Sequence, residues 1–148
     1  MLNLLRKAPD DLLKKATAKK KAGDLENAIK LAKQAYEQIS KESISYPVDT
    51  FLRLPLYLQE AKRNDEAWRE FNVLLTEGYP NQTKDPELIP MDHASIYDKM
   101  RLFLQREGKN VLAVRFGIFS WLSSLVGLYR QKRIDQLTAY SSLKDYKD

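Results

Sequence analysis

Asp92, His93 and Ser95 bring a carboxylate, an imidazole and a hydroxyl within four positions of one another, the groups from which a hydrolytic nucleophile and its base are built. The spacing argues against that use. Residues one and two positions apart on a helix point in different directions, so the three side chains do not assemble locally. His93 then reads as a surface residue in the first turn of a helix. It is the single histidine, and the chain has no cysteine, which excludes a disulfide framework, a thiol nucleophile and a zinc site of the usual ligands. Glu66 and Glu70 lie beside Lys62, Arg63 and Arg69 as helix-surface charge pairs. No glycine-rich loop suits a phosphate. The expectation is a protein with no catalytic centre, no cofactor and no metal.

Binding chemistry is better represented. The net charge is +5, with both ends of the chain positive and the middle negative. Lys14, Lys15, Lys19, Lys20 and Lys21 near one end, with Arg130, Lys132 and Arg133 near the other, could meet an acidic partner or a nucleic-acid backbone. At helical spacing, however, Lys14, Lys15, Lys19 and Lys21 spread around a helix, and no exposed aromatic residues are interleaved with them. A solvated surface is the simpler reading. A nucleic-acid-associated protein using these two basic segments is the alternative to a protein-binding module.

The elements that must position these residues are helical. Pro9 followed by Asp10 and Asp11 predicts a helix start, and Leu12, Leu13, Ala16 and Lys20 share one face of a helix that runs to about Lys21. Gly23 ends it in a left-handed conformation and Asp24 caps a second helix, Leu25 to about Lys41, with Leu25, Ala28, Ile29, Ala32, Ala35, Tyr36 and Ile39 as its apolar set. So short a connection makes the two helices an antiparallel hairpin. Pro47 opens a third helix, near Val48 to Lys62, with a bend expected at Pro55 because Phe51, Leu54, Leu58 and Ala61 keep helical spacing across it. The opening turn repeats at 63–67, where Asn64 is expected in the left-handed position or Asp65 as the cap. A fourth helix then runs from Asp65 to Thr76 and stops at Gly78. After a long loop over 79–90, Asp92 is expected to cap a fifth helix to Glu107, and a sixth follows Gly108. The residues after 131 suggest a short seventh helix that caps the stack.

A chain of 148 residues fits one domain able to bury roughly two thirds of its unfolded surface. The absence of cysteine favours a reducing, cytoplasmic setting, and the apolar run at the start is too short for a signal peptide's hydrophobic region. Val111 to Tyr129 approaches the length of a membrane span. With Arg115 near one end and serines and glycines in its second half, it is expected to be a buried helix and not a span. Gly117, Ser120, Ser124 and Gly127 fall on one face of that helix, where small residues permit close backbone approach either by the chain's own preceding helices or by a second copy, a candidate homodimer face.

Aligning the three turns places Ala28, Ala67 and Ala113 in register, each in the second helix of a hairpin, which is the mark of stacked helix pairs. On GDLENAIKLAKQAYEQI, KRNDEAWREFNVLL and EGKNVLAVRFGIFSWL the chain resembles the tetratricopeptide-repeat family over residues 10 to about 131. The resemblance implies an all-α fold: hairpins over about 10–41, 48–76 and 92–131, stacked as a right-handed array, with 132–148 as a capping tail. It also implies a non-catalytic adaptor that holds a peptide or partner protein on the surface lined by the first helix of each hairpin. That surface would comprise Leu13, Thr17, Lys20 and Lys21 from the first pair. Leu52, Leu56, Gln59 and Glu60 would come from the second, and Asp98, Leu102, Gln105 and Arg106 from the third.

Overall fold

The computed structural model describes the backbone of residues 2–147 and the side chains of residues 8–131. All regular structure among the described residues is helical, in seven segments: α1 (Leu2–Lys21), α2 (Leu25–Lys41), α3 (Val48–Phe51), α4 (Arg53–Glu60), α5 (Asn64–Thr76), α6 (Leu88–Arg106) and α7 (Asn110–Lys147). Consecutive helices pair across short turns, α1 with α2, α4 with α5 and α6 with α7, while α2 packs on α4 and α5 on α6.

The three turns share one hydrogen-bonded geometry. Gly23, Lys62 and Gly108 have φ of 81°, 63° and 74°. Each donates its N–H to a carbonyl three residues back, on Lys20, Gln59 and Gln105, at 3.0 Å. The next N–H reaches five residues back: Asp24 to Lys19 at 2.9 Å, Arg63 to Leu58 at 2.8 Å and Lys109 to Leu104 at 2.9 Å. This pattern satisfies the last carbonyls of the departing helix and requires a left-handed residue. Five residues past that residue stands an alanine, Ala28, Ala67 or Ala113, each with at most 2% of its surface exposed. The second turn uses Lys62 where glycine was absent, and α5 begins at Asn64; the left-handed residue is therefore neither Asn64 nor Asp65. Asp24 caps α2 with its side chain, accepting from the Asn27 N–H at 3.4 Å, whereas Arg63 supplies no side-chain cap to α5.

Other boundaries moved for identifiable reasons. Pro9 lies inside α1 and not before it, and its ring is buried. The Asp10 carboxylate, expected near a helix start, instead accepts a hydrogen bond from the Tyr46 hydroxyl at 2.9 Å. The expected bend at Pro55 is a restart: α3 ends at Phe51, Leu52 forms the join, and Pro55 occupies the first turn of α4. A helix's first N–H groups have no acceptor within the helix, so proline costs little there. α6 starts at Leu88, upstream of His93, with Pro90 buried in its first turn and Asp92 within the helix. α7 continues without a break through the region where a separate capping helix was expected; the side chains of 132–148 lie outside those described.

The core runs from Ala16, Ala28, Ile29 and Ile39 through Phe51, Leu52, Leu54 and Leu58 to Phe71, Ile96, Met100 and Phe103. Trp68 ties the second and third hairpins together, with ring centroids 5.5 Å from Phe103 and 5.4 Å from Phe116. Such aromatic pairs contribute about 0.5–1.5 kcal/mol beyond the area they bury.

A Cβ at Gly23 would meet no atom within 4 Å, so glycine is needed there for φ alone. Gly23→Ala should therefore destabilise the fold by about 1 kcal/mol, while Lys62→Gly should be neutral or stabilising by up to about 1 kcal/mol, because a side chain in the left-handed region carries that penalty already. Urea denaturation midpoints of the two variants shift in opposite directions or not at all for Lys62→Gly; equal losses in both would show that these turns are not equivalent.

Candidate functional site

Two surfaces offer themselves to a partner: the side carried by α1, α4 and α6, and the length of α7. On the first, much of the expected partner-binding set is committed to holding helices together. The Thr17 hydroxyl donates to the Leu13 carbonyl at 3.0 Å and accepts from the Arg53 guanidinium at 3.3 Å. Lys20 pairs with Glu60 at 3.4 Å. Gln59 donates its side-chain N–H groups to the Phe103 carbonyl at 2.9 Å and to Glu107 at 3.0 Å, joining α4 to the end of α6. The Gln59 side-chain oxygen is buried with no protein hydrogen-bond partner.

Leu52 and Gln59 are buried and cannot line a partner surface, which corrects their expected placement. Leu13, also buried, forms the floor of a recess of about 330 Å³ together with Asp10, Lys14, Thr17 and Arg53. Lys21 and Arg106 are exposed and Leu56 and Leu102 half-buried. Asp98 and Gln105 both receive hydrogen bonds from Arg101, at 2.9–3.0 Å. Lys14 and Arg53 were not both singled out by the family pattern. Lys14 lies within the spread of lysines on α1, and Arg53 opens α4.

The basic residues of the alternative reading also divide. Lys14, Lys15 and Lys21 are exposed, whereas Lys19 and Lys20 pair with Asp24 and Glu60. Arg130 donates to the Pro86 carbonyl at 2.9 Å, and the side chains of Lys132 and Arg133 lie outside those described.

The loop before α6 is fastened at three points. Asn81, with φ of 60°, donates its side-chain amide toward the carbonyls of Ile39, Glu42 and Ile44 at 3.0, 2.7 and 2.9 Å, closing the C-terminal end of α2. The Tyr79 hydroxyl and the Gln82 amide both donate to Asp92. Burial, then the Asp92 carboxylate, raises the Tyr79 phenol above its ordinary value; burial raises Tyr36, whose hydroxyl donates to the Thr50 carbonyl at 2.7 Å. His93, next to Asp92, is half-buried with its ring edge toward Tyr97, and it does not meet Ser95, whose hydroxyl donates to the Met91 carbonyl. Among the described residues no group of three or more histidine, aspartate or glutamate side chains could hold a metal ion.

α7 carries the second surface. Its small-residue face, the candidate dimer face, is occupied by α6 of the same chain. The Ser120 hydroxyl donates to the Ala94 carbonyl at 2.8 Å. A Cβ on Gly117 would come within 3.3 Å of Arg101, and one on Gly127 within 2.6 Å of Met91. Ser124 lines the same seam with Ala94 and Asp98. Gly117, Ser120, Ser124 and Gly127 are thus spent inside the chain, and a partner has to use the other side. There the large residues stand open, with Val111 73%, Trp121 61% and Tyr129 63% exposed, and Val114, Ile118, Leu122, Leu125, Val126 and Leu128 exposed between them. The expected burial of 111–129 holds only along the seam: within Asn110–Gln131, the most apolar 18-residue window has a mean hydropathy of 1.7, and 11% of that window is buried.

Comparison of the chain with protein-family models, with curated proteins and with solved structures finds no match.

Asn81→Ala should cost about 1–3 kcal/mol, because it removes the side-chain donor shared by the Ile39, Glu42 and Ile44 carbonyls and a residue tolerant of φ near +60°. Asn81→Gly, which keeps the backbone conformation, should recover only part of that loss; full recovery in thermal melts would assign the effect to the backbone alone.

The tyrosines set an alkaline limit. Their folded-state values lie above the unfolded value near 10, so the stability they contribute is intact below pH 10 and is lost as the pH rises beyond it. Chemical denaturation followed from pH 9 to 11 should show the decline, and a Tyr36→Phe/Tyr79→Phe double variant should flatten it.

Proposed function

We propose that this chain is a non-catalytic interaction module, an adaptor of three helix hairpins stacked in the manner of tetratricopeptide repeats, with a seat for a peptide or partner helix on the side carried by α1, α4 and α6. The observation that supports it is the threefold recurrence of one turn. A left-handed residue, two matched hydrogen bonds and a buried alanine five residues on repeat at Gly23, Lys62 and Gly108. Equivalent turns give equivalent helix pairs, and stacked equivalent pairs leave their first helices on a common side.

The seat's chemistry favours an acidic, extended segment. The recess over Leu13 is rimmed by Lys14 and Arg53 against a single carboxylate, Asp10, which is engaged by Tyr46. Lys21 continues the positive edge at the end of α1. An apolar floor with a few charges around it is the usual make-up of a site that takes one side chain and orients the rest of a peptide.

Affinity capture from the native host with the full chain and with a Lys14→Glu/Lys21→Glu variant tests this reading. Both residues are exposed, so the variant should keep its helical circular dichroism. Specific proteins recovered by the original chain should bind the variant at least about tenfold more weakly in direct titrations, as expected when an interface loses and reverses its charges. An identical set recovered by both forms would place the binding elsewhere.

A further inference from the structure

α7 presents its apolar side chains over an unusually wide arc. At about 100° per residue, the exposed positions from Leu128 and Trp121 round to Phe119 and Leu112 sweep about 200° of the helix circumference. The remainder is the glycine and serine seam on α6. The face is about 33 Å long if measured over Asn110–Gln131 at 1.5 Å per residue.

We propose that this face docks on an anionic membrane surface, with α7 lying in the plane of the interface and not crossing it. Three observations select that occupant. The first is breadth, because a single facing helix covers one stripe, whereas half of a cylinder is what an in-plane helix buries in a lipid layer. The second is charge. No acidic residue occurs between Glu107 and Asp135, while Lys109, Arg115, Arg130, Lys132 and Arg133 do. Arg115 is exposed within the apolar arc. In a two-fold pairing of α7 with a second copy, each copy sets the same residues against the other, and Arg115 would be desolvated with no carboxylate to meet. At a lipid surface its stem can lie along the acyl boundary while the guanidinium reaches a headgroup phosphate.

The third observation bears on orientation. α6 runs antiparallel along the seam, fixed by the Ser120 to Ala94 and Arg130 to Pro86 hydrogen bonds, and it carries Asp92 and the Asp98–Arg101 ion pair. A crossing α7 would drag those charges into the hydrocarbon or leave its own seam unpaired. An in-plane α7 keeps α6 and the rest of the fold on the aqueous side.

The proposal is independent of the peptide seat, and its test uses a different variant and a different ligand. The full chain is mixed with vesicles of phosphatidylcholine alone or of phosphatidylcholine with an equal share of phosphatidylglycerol, and binding is read by flotation. It is also read by tryptophan emission in a Trp68→Phe background, which leaves Trp121 as the reporter. Binding to the anionic vesicles with a blue shift, weakened by salt and reversed by alkaline carbonate, is the expected result. Ile118→Glu/Leu125→Glu should lower the partition coefficient more than about tenfold, since binding scales with apolar area inserted. Arg115→Glu should weaken binding to the anionic vesicles selectively. Both variants change exposed residues, and unchanged thermal melts will exclude misfolding. No binding to anionic vesicles at low salt overturns the proposal, as does equal binding to both compositions. Resistance to carbonate extraction overturns the in-plane orientation, and a stable dimer that protects Trp121 without vesicles assigns the face to a second copy.

Discussion

Close backbone approach at a buried alanine, set at a fixed distance after a left-handed turn, is the constraint on which this structure depends. The turn decides where the second helix of each pair starts, and the alanine decides how near it can come to its neighbours. With no side chain beyond Cβ, the buried Ala28, Ala67 and Ala113 place no bulk between their helix and its neighbours, which permits close approach. A bulkier residue at any of these positions would force the pair apart and loosen contacts along both helices. The turn is equally restrictive. Its two hydrogen bonds form only with the left-handed residue in place, and the chain accepts a lysine there in the second hairpin at the expense of local strain.

Polar contacts between hairpins then set direction more than stability. Arg63 pairs with Glu66 at 2.7 Å and with Glu26 at 3.0 Å, linking the second turn to the first. The guanidinium in turn holds the Glu66 carboxyl below its ordinary value. These groups are solvent-accessible, where ion pairs contribute little net stability but still penalise alternative registers. Gln59 is different because it is buried. Its amide donates to the Phe103 carbonyl, which also accepts the Glu107 N–H, and to the Glu107 carboxylate, so an apolar replacement would remove both hydrogen bonds that tie α4 to the end of α6.

The helical architecture was legible because its signals are local. Gly23 with Asp24, the periodic apolar set of α2 and the alanine register all depend on residues a few positions apart. Leu25–Lys41 was recovered with the expected bounds. What was not legible depends on partners distant in the chain. The helical spacing across Pro55 favours a bend, and the restart becomes visible only where α3 ends at Phe51 and α4 begins at Arg53. Asp10 looks like a helix-start carboxylate and Asp92 like a cap until Tyr46 and Tyr79 are placed against them. Leu52 and Gln59 follow the periodicity of a surface-lining set, yet both are buried, Leu52 at the join before α4 and Gln59 near its end.

The same distinction explains α7. Its composition is that of a core helix, and periodicity identifies the seam of glycine and serine correctly as a place of close approach, but not which helix approaches. Because α6 takes that seam, close packing consumes the residues that contribute least hydrophobic stabilisation and leaves outside those that would contribute most. Burying a Leu, Ile or Val is favourable by about 1.5–3 kcal/mol, and exposed residues of this kind recur on every turn of α7 from Val111 to Tyr129. Contiguous apolar faces of such extent mark interaction sites rather than ordinary surface, and that is the physical ground on which the docking proposal for α7 rests.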